Sequence, residues 1–395
     1  MNKKIPLGLT ITFVAIGCAI TFLLTTNFSL GIFNNSVHDI KQRAEIYDKI
    51  DNIDTFVRKN YINDVDHEKL LDAIARGYIT SLGDKYAEYL TAEENKAVRK
   101  QNDGYNVGVG LTLKQDESGY LYISDVTDNS PASEIEIKAG DLIVAIDGTD
   151  LLKISFEEAS SKLRGEAGTS LKLSIRSNGV DRDVTLTRKE MEIHSVSSHM
   201  IEDIGYIKIT QFNSKTYQQF KDSVNAMVSA GAKGLVFDLR NNGGGLLDPT
   251  LQMLDFLLPE GDIATALYKD GKTKVLGKSD ASEIDLPMVA VVNSETASAA
   301  ELFSSALRDF GKAKLVGEKT YGKGVMQNTY DLPDGSSIKF TIAKFQTSKT
   351  PNFDGVGLSP NYEVALENDT EADLKALDEK SDPQLKKALE ILSAT

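Results

Sequence analysis

Gly234-Leu-Val-Phe-Asp-Leu-Arg-Asn-Asn-Gly-Gly-Gly-Leu-Leu-Asp-Pro-Thr250 is the stretch on which the fold turns. Gly234 to Leu239 is a short apolar run, the pattern of a strand buried on both faces. Three glycines then let the backbone turn sharply. A helix is expected from Pro249 to Leu258, with Asp248 as N-cap and Pro249 at its first position. The same alternation extends both ways. Upstream lie a strand at Gly205 to Ile209 and a helix at Lys215 to Ala230. Downstream lie a strand at Met288 to Val292, a helix from about Ala299 to Phe310, and strands near Lys314 and Val325. Tyr330 to Phe345 reads as a hairpin turning at Asp334-Gly335. Alternating strands and helices imply a mostly parallel sheet covered by helices, here over residues 191–366.

The flanking regions read differently. Residues 104–190 are short strands and turns, such as Gly140-Asp-Leu-Ile-Val-Ala-Ile-Asp-Gly148, with a short helix at Phe156 to Leu163. They suit a compact, partly open β-barrel. Residues 36–103 read as helical, with Ile46, Ile50, Ile53 and Val57 at helical spacing. Residues 367–395 form a charged tail ending in a helix, Asp382 to Leu392.

The chain has 395 residues and a net charge of −14. Phosphate backbones are bound through basic faces, so this acidity excludes nucleic acid as a partner. The single cysteine, Cys18, allows no intrachain disulfide. Four histidines and one cysteine argue against a thiolate or imidazole metal site, and no organic cofactor is implied. Ile5 to Phe33 is a run of 29 residues without a formal charge, preceded by Lys3 and Lys4. About 20 apolar helical residues span a bilayer core, and the lysines place the N-terminus in the cytoplasm. The expectation is a single-pass anchor over residues 1–35 with the body extracytoplasmic. A cleaved signal peptide or a lipoprotein cysteine at Cys18 is the alternative; no A-x-A site precedes Phe33.

Three segments of the α/β region could carry chemistry. The first is the glycine turn itself, which alone reads equally as a tight connection. The second is Val291-Val-Asn-Ser-Glu-Thr-Ala-Ser-Ala-Ala-Glu-Leu302. It puts Ser298 where a strand hands over to a helix, so a developing oxyanion would meet the helix's positive end. Ser298-Ala-Ala-Glu301 also fits a capping box that needs no catalysis. The third is Gly317-Glu-Lys-Thr-Tyr-Gly-Lys-Gly-Val-Met-Gln327. It begins like a phosphate-binding loop but has Gly324 where Ser or Thr would hold magnesium. No histidine stands in a comparable context. A serine nucleophile would then need Lys323 as its base, with its pKa lowered by burial. If Val325 onward is a regular strand, Gln327 shares a face with Lys323 and could hydrogen-bond its amine.

At these residues the chain resembles the carboxy-terminal processing peptidases, serine proteases with a PDZ domain before a Ser-Lys core. The motifs are Thr296-Ala-Ser-Ala-Ala-Glu301, Gly322-Lys-Gly-Val-Met-Gln327 and Asp238 to Gly245. The resemblance implies a multidomain α/β protein: transmembrane helix, helical region, PDZ β-barrel-like domain, and a catalytic core of the crotonase/Clp-protease type. It implies Ser298 as nucleophile, Lys323 as general base, Gln327 as its orienting partner, and Gly244 and Ala299 amides as the oxyanion hole. Val107, Gly108, Val109, Gly110 and Leu111 resemble the PDZ carboxylate-binding loop. Arg164, in Leu163-Arg-Gly165, resembles an arginine linking peptide binding to activation; an ordinary surface arginine reads the same. The implied partners are protein or peptide substrates with exposed C-termini, the membrane, and a second copy in a homodimer. Two positions depart from the pattern: Gly243 stands where many members have proline, and Glu136 where the PDZ turn usually has glycine. The competing class is a catalytically silent PDZ scaffold at the membrane surface; a weaker third is an acyl hydrolase with the same dyad.

Overall fold

The computed structural model describes the backbone of residues 7–366 and 380–394; the side chains of residues 7, 9–11, 27–39, 157 and 161 lie outside the described set. The chain forms two units, Met1–Ile74 and Ala75–Thr395. In the first, helix α1 runs without a break over Leu7–Asn60. Of the anchor expected over residues 1–35, residues 1–6 and the side chains of 7, 9–11 and 27–35 lie outside the described set. Among the described residues, no helix is long and apolar enough to cross a membrane. Helix α2 spans His67–Thr80.

The second unit opens with β1, Glu88–Leu90, and helix α3, Ala92–Asn102. Thr91 and Glu94 close a reciprocal capping box at the start of α3. The segment up to 103 is therefore not wholly helical as expected. Tyr89 and Leu90 are buried, and β1 is fixed by pairing with Ser337 to Lys339 far along the chain.

Strand β2, Tyr105–Gly108, leads into β3, Leu111–Gln115; β4, Leu121–Val126; β5, Leu142–Ile146; and β6, Thr149–Asp150. Helix α4, Phe156–Leu163, then precedes β7, Ser170–Ser177; β8, Val180–Thr187; and β9, Lys189–Glu192. The sheet order is β3-β4-β5-β7-β8, with β6 beside β5. Strand β3 lies at its edge. Ile123, Ile143, Ile146, Leu171, Leu173 and Ile175 fill its core without exposure. Strands β2 and β9 stand apart as an antiparallel ribbon. Glu136 adopts a left-handed conformation, φ 57°, where glycine would be unstrained. Arg182 donates to the carbonyls of Ile135 and Glu136 and holds the turn.

The α/β region begins with β10, Val196–Ile201, and β11, Ile204–Ile209. Helix α5, Thr216–Ser229; β12, Gly234–Asp238; and α6, Leu247–Leu257, follow. Next come β13, Gly261–Tyr268; β14, Thr273–Ser279; β15, Met288–Val292; α7, Ala299–Asp309; and β16, Ala313–Gly317. The described chain ends with β17, Val325–Asp331; β18, Ser337–Thr347; β19, Tyr362–Glu363; and α8, Pro383–Ser393. The tail from 367 to 379 lies outside the described residues. One sheet runs β10-β11-β12-β15-β16-β19, parallel from β11 onward. Every residue of β12 and β15 is buried. A second sheet, β1-β18-β13-β14 with β17 on β18, is antiparallel.

Helix α6 starts two residues earlier than expected. Leu246 is its N-cap, with no side-chain cap. The Leu246 N–H donates to the Phe212 carbonyl instead, which pulls the chain into the helix before Asp248. Asp248 then sits in the first turn, where a carboxylate favours the helix dipole and Pro249's missing N–H costs little.

One side of the parallel sheet is sealed by α5, α6 and α7. At its centre the Phe303 ring, on α7, lies edge-on to Phe237 at 5.6 Å and to Phe220 at 6.0 Å. Phe212 packs at 6.1 Å. This cluster seats the helix whose first turn follows Ser298. Phe303→Ala is expected to cost about 3–5 kcal/mol, read as a lower denaturant midpoint with an unchanged slope.

Candidate active site

Strand β15 ends at Val292 and α7 starts at Ala299; the turn between them carries Ser298. Ser298 has φ 55° and ψ −116°, a region that non-glycine residues occupy at a cost of about 1–3 kcal/mol. Such a strained turn pushes the side chain forward of the backbone, as nucleophile elbows do. The turn is held from beneath. Thr296 Oγ1 donates to the Leu239 carbonyl at 2.9 Å, and the Ala297 N–H donates to the Asn242 carbonyl at 2.9 Å. Asn293 and Asn241 bond each other, through the Asn241 N–H at 2.9 Å and the Asn293 amide at 2.6 Å. The elbow and the glycine turn are thus stitched together.

Glu301 ties the elbow to the lysine loop. Its side chain has no exposure. One carboxylate oxygen accepts the Ser298 and Lys323 N–H groups, each at 2.8 Å. The other accepts the Gly322 N–H at 2.8 Å and the Thr320 hydroxyl at 2.5 Å. The S-x-x-E pattern therefore supplies the Glu301 half of a capping box, and the same carboxylate does more: it fixes two catalytic-candidate backbones at once.

Ser298, Ala299, Lys323 and Gln327 line one cleft of about 450 Å³, with Gly243 and Gly245 beside them. Leu246, Leu302, Met326 and Phe345 give it an apolar wall, and Arg99 and Lys339 a cationic side. Lys339 is paired with Glu88 at 2.6 Å, and Arg99 with Asp331. Half-buried Lys323 places its amine 4.5 Å from the centre of the Tyr86 ring. Burial pushes its pKa below the ordinary lysine value; Lys339 and Lys85 add to this, against Asp84 and Glu301. Asp84 is itself held by the Thr341 N–H at 2.8 Å and the Tyr86 N–H at 3.0 Å.

Two expected details differ. Gln327 does not bond Lys323; its amide donates to Thr341 Oγ1 at 3.1 Å. The register of β17 on β18 shifts between Met326 and Gln327, and this bulge breaks the period-two alternation that would have aligned the two side chains. The Gly244 N–H is not open to the cleft either. It donates to Asn242 Oδ1 at 2.8 Å, an Asx turn in which asparagine satisfies the amide two residues on. Gly244 must nonetheless be glycine. Its φ is +100°, and a Cβ would lie within 3.0 Å of Ala297 O, Ser298 Cβ and Ala299 N. Gly245 bridges in parallel to Phe212, using its neighbours' bonds: Phe212 N–H to Gly244 O and Leu246 N–H to Phe212 O. The Gly245 N–H consequently faces away from Phe212. Among the described residues, no acceptor takes the N–H of Gly245 or Ala299.

In the β-barrel-like domain, Val107 and Gly108 belong to the β2–β9 ribbon, Val109 is buried in the domain core, and Leu111 begins edge strand β3. Gly110 has φ +82°, and a Cβ there would fall 2.1 Å from Ser130 Cβ. Arg164 is exposed. The arginine that braces this region is Arg188, passed over in the sequence because it lies between two strands rather than in a motif. It donates to the carbonyls at the end of α4, Leu163 at 3.0 Å and Lys162 at 2.8 Å, and to Thr169 Oγ1 at 2.9 Å.

Residues 203–364 match peptidase family S41, and residues 122–177 match the PDZ domain. The carboxy-terminal processing protease CtpA of Bacillus subtilis (strain 168) is 30% identical over 371 residues, covering 93% of this chain and 78% of its own length. The chain belongs to the carboxy-terminal processing peptidases. A "Probable CtpA-like serine protease" of Staphylococcus saprophyticus is 30% identical over 343 residues, covering 86% of this chain and 68% of its own. Among solved structures, the photosystem II D1 C-terminal processing protease superposes with a TM-score of 0.51 at 28% identity, covering 80% of this chain and 86% of its own. A putative S41 protease from Bacteroides fragilis, at 18% identity and TM-score 0.53, shares the fold. The chain is thus a serine-type C-terminal processing peptidase with a PDZ domain. In this chain Glu301, the glutamate of the serine motif, joins that motif to the lysine loop.

Glu301→Gln tests that junction. An amide cannot accept at both ends, so its NH₂ would face either the Ser298 and Lys323 N–H groups or the Gly322 N–H and the Thr320 hydroxyl, leaving at least one buried N–H without an acceptor. The expected loss is about 2–5 kcal/mol, with a fall in kcat/KM. A melting temperature within a degree of wild type would show that the carboxylate does not hold the two loops.

Proposed function

We propose that this peptidase is anchored in the cell membrane by residues 1–35, captures the C-terminal tails of protein substrates through its PDZ domain, and cleaves them with a Ser298–Lys323 dyad. The observation that carries the dyad is that Ser298, at a strained elbow, and a half-buried Lys323 line one cleft while Glu301 fixes both backbones. The anchor is supported by the uncharged run Ile5 to Phe33 behind Lys3 and Lys4, which also puts the catalytic body outside the cytoplasm. Tail capture is supported by β3 at the edge of its sheet, where an extended peptide can add as a further strand. A homodimer is part of the proposal on family grounds alone.

The chemistry follows from the groups in place. Neutral Lys323 takes the proton of the Ser298 hydroxyl as its oxygen attacks the scissile carbonyl. The carbonyl oxygen becomes an oxyanion that meets the Ala299 N–H. Its second donor is Gly245: the Gly244 amide is engaged, and proline at position 243 in many family members leaves no shared donor there. The Lys323 ammonium returns its proton to the leaving amine, and water, activated by the same lysine, hydrolyses the acyl-enzyme.

Ser298→Ala should lower peptide cleavage about 10³-fold or more in an assay on a tailed protein substrate. Equal cleavage by wild type and variant would sink the nucleophile assignment.

The pH profile tests the base. Lys323 must be neutral to act, so kcat/KM should rise with pH through an acid limb set below the ordinary lysine range. The Lys339 charge opposes protonation of Lys323. Removing it in Lys339→Gln makes Lys323 easier to protonate, raises its pKa and moves the limb to higher pH. A limb that stays put, or moves down, would count against Lys323 as the titrating base.

A further inference from the structure

The C-terminal motif Asp382-Pro-Gln-Leu385 plays no part in the reaction described above, yet it reaches the glycine turn. Asp382 and Gln384 are fully or almost fully buried. One Asp382 oxygen caps α8, accepting the Gln384 and Leu385 N–H groups at 3.0 Å each. Its other oxygen accepts Arg240 Nη1 at 2.7 Å, and Gln384 Oε1 accepts the same nitrogen at 3.2 Å. The remaining guanidinium nitrogens of Arg240 bond Asp238, the closest contact being 2.6 Å. Lys208 Nζ, 3.0 Å from Asp238, also donates to the Arg240 carbonyl at 3.0 Å. Arg240 is thereby gripped at both side chain and main chain, at the first residue after β12 and its flanking Leu239. The turn from Asn241 to Gly245 hangs from it.

Docking α8 does not require this pair. Leu385, Ala388 and Leu392 already pack against Val236, Val289, Val291 and Val316 on the second face of the parallel sheet. Buried ion pairs add little net stability over apolar contacts, since desolvation offsets their attraction; what they impose is geometry. Here the geometry imposed is that of Arg240 and the amides that follow it.

We propose that the C-terminal helix is a working part of the active site: Asp382, acting through Arg240, is a positioning residue for the glycine turn that presents the oxyanion donor. The inference rests on the reading of that turn as the oxyanion site. Position therefore matters more to the transition state than to the bound substrate. A donor displaced by a fraction of an ångström is a donor partly lost, and one such donor is worth about 10²–10³ in kcat.

The test is Asp382→Asn in the full chain. Asparagine keeps the helix cap through its Oδ1, being an equally good N-cap, and turns an NH₂ toward Arg240, so that both the charge and the acceptor that Arg240 meets are lost. The readouts are kcat and KM on a tailed substrate and the affinity of a peptidyl aldehyde, whose hemiacetal oxygen occupies the oxyanion site. Leu392→Ala is the companion variant: it loosens the same helix without touching Arg240. Melting curves for both set an assay temperature well below each midpoint. The expected result is a kcat at least about tenfold lower for Asp382→Asn with KM within about threefold. Aldehyde affinity should fall in step with kcat, and Leu392→Ala should keep wild-type kcat. The proposal is overturned if Asp382→Asn keeps wild-type kcat and aldehyde affinity. It is equally overturned if both variants lose kcat only in proportion to their stability. A wild-type enzyme showing no Ser298-dependent cleavage would overturn the oxyanion reading and this inference together, whereas a fully active wild type leaves the variants alone to decide.

Discussion

One buried carboxylate holds the catalytic region in register. Glu301 accepts three main-chain N–H groups and a threonine hydroxyl from residues up to 22 positions away from it in the chain. The elbow at Ser298 is strained and the loop at Lys323 is rich in glycine. Neither would keep its shape by local preference. A fully buried carboxylate with four donors is expensive to leave unsatisfied, so the two loops can only settle where all four bonds form. The cleft, the placing of Ser298 and Lys323 along it, and the burial that lowers the lysine's pKa all depend on that arrangement.

Around this centre the structure uses a second device, close backbone packing. Gly244 abuts the elbow, Gly245 lies on Phe212, and Gly322 lies against Val356 and Gly357. At each of these places a Cβ would overlap backbone atoms. The glycines are required twice over, by contact between chain segments and by φ values of +100°, +144° and +88° that other residues rarely adopt.

Much of this was legible in the sequence for identifiable reasons. Strand β15 is apolar throughout and β12 is apolar up to Asp238, and the neighbouring helices have clear faces, so the α/β core could be read from periodicity. The serine and lysine motifs stood out because each combined small residues with one reactive side chain at a strand end. What escaped reading depended on long-range partners. Strands β13 and β14 are mixed in polarity and carry exposed residues; β13 is held between β14 and β18. Strand β1 likewise pairs with β18. The Gln327 bulge and the engagement of Gly244 by Asn242 are one-residue effects of hydrogen bonding that no period reveals. Nor does the sequence mark Arg188 and Arg240, whose significance lies entirely in which carbonyls and carboxylates they meet.

The ribbon formed by β2 and β9 has a bearing on how this architecture could arise. The β-barrel-like domain leaves and rejoins the rest of the chain through two strands paired side by side, Tyr105 opposite Glu192 and Gly108 opposite Lys189. Its entry and exit are therefore neighbours, so the scaffold around them sees only a small gap closed by a ladder of backbone bonds. Domain insertion is tolerated where chain ends meet in this way. A recognition module joined like this behaves as a cassette: its ligand-binding surface can diverge, or be replaced by another of similar span, while the peptidase scaffold keeps its own hydrogen bonds intact.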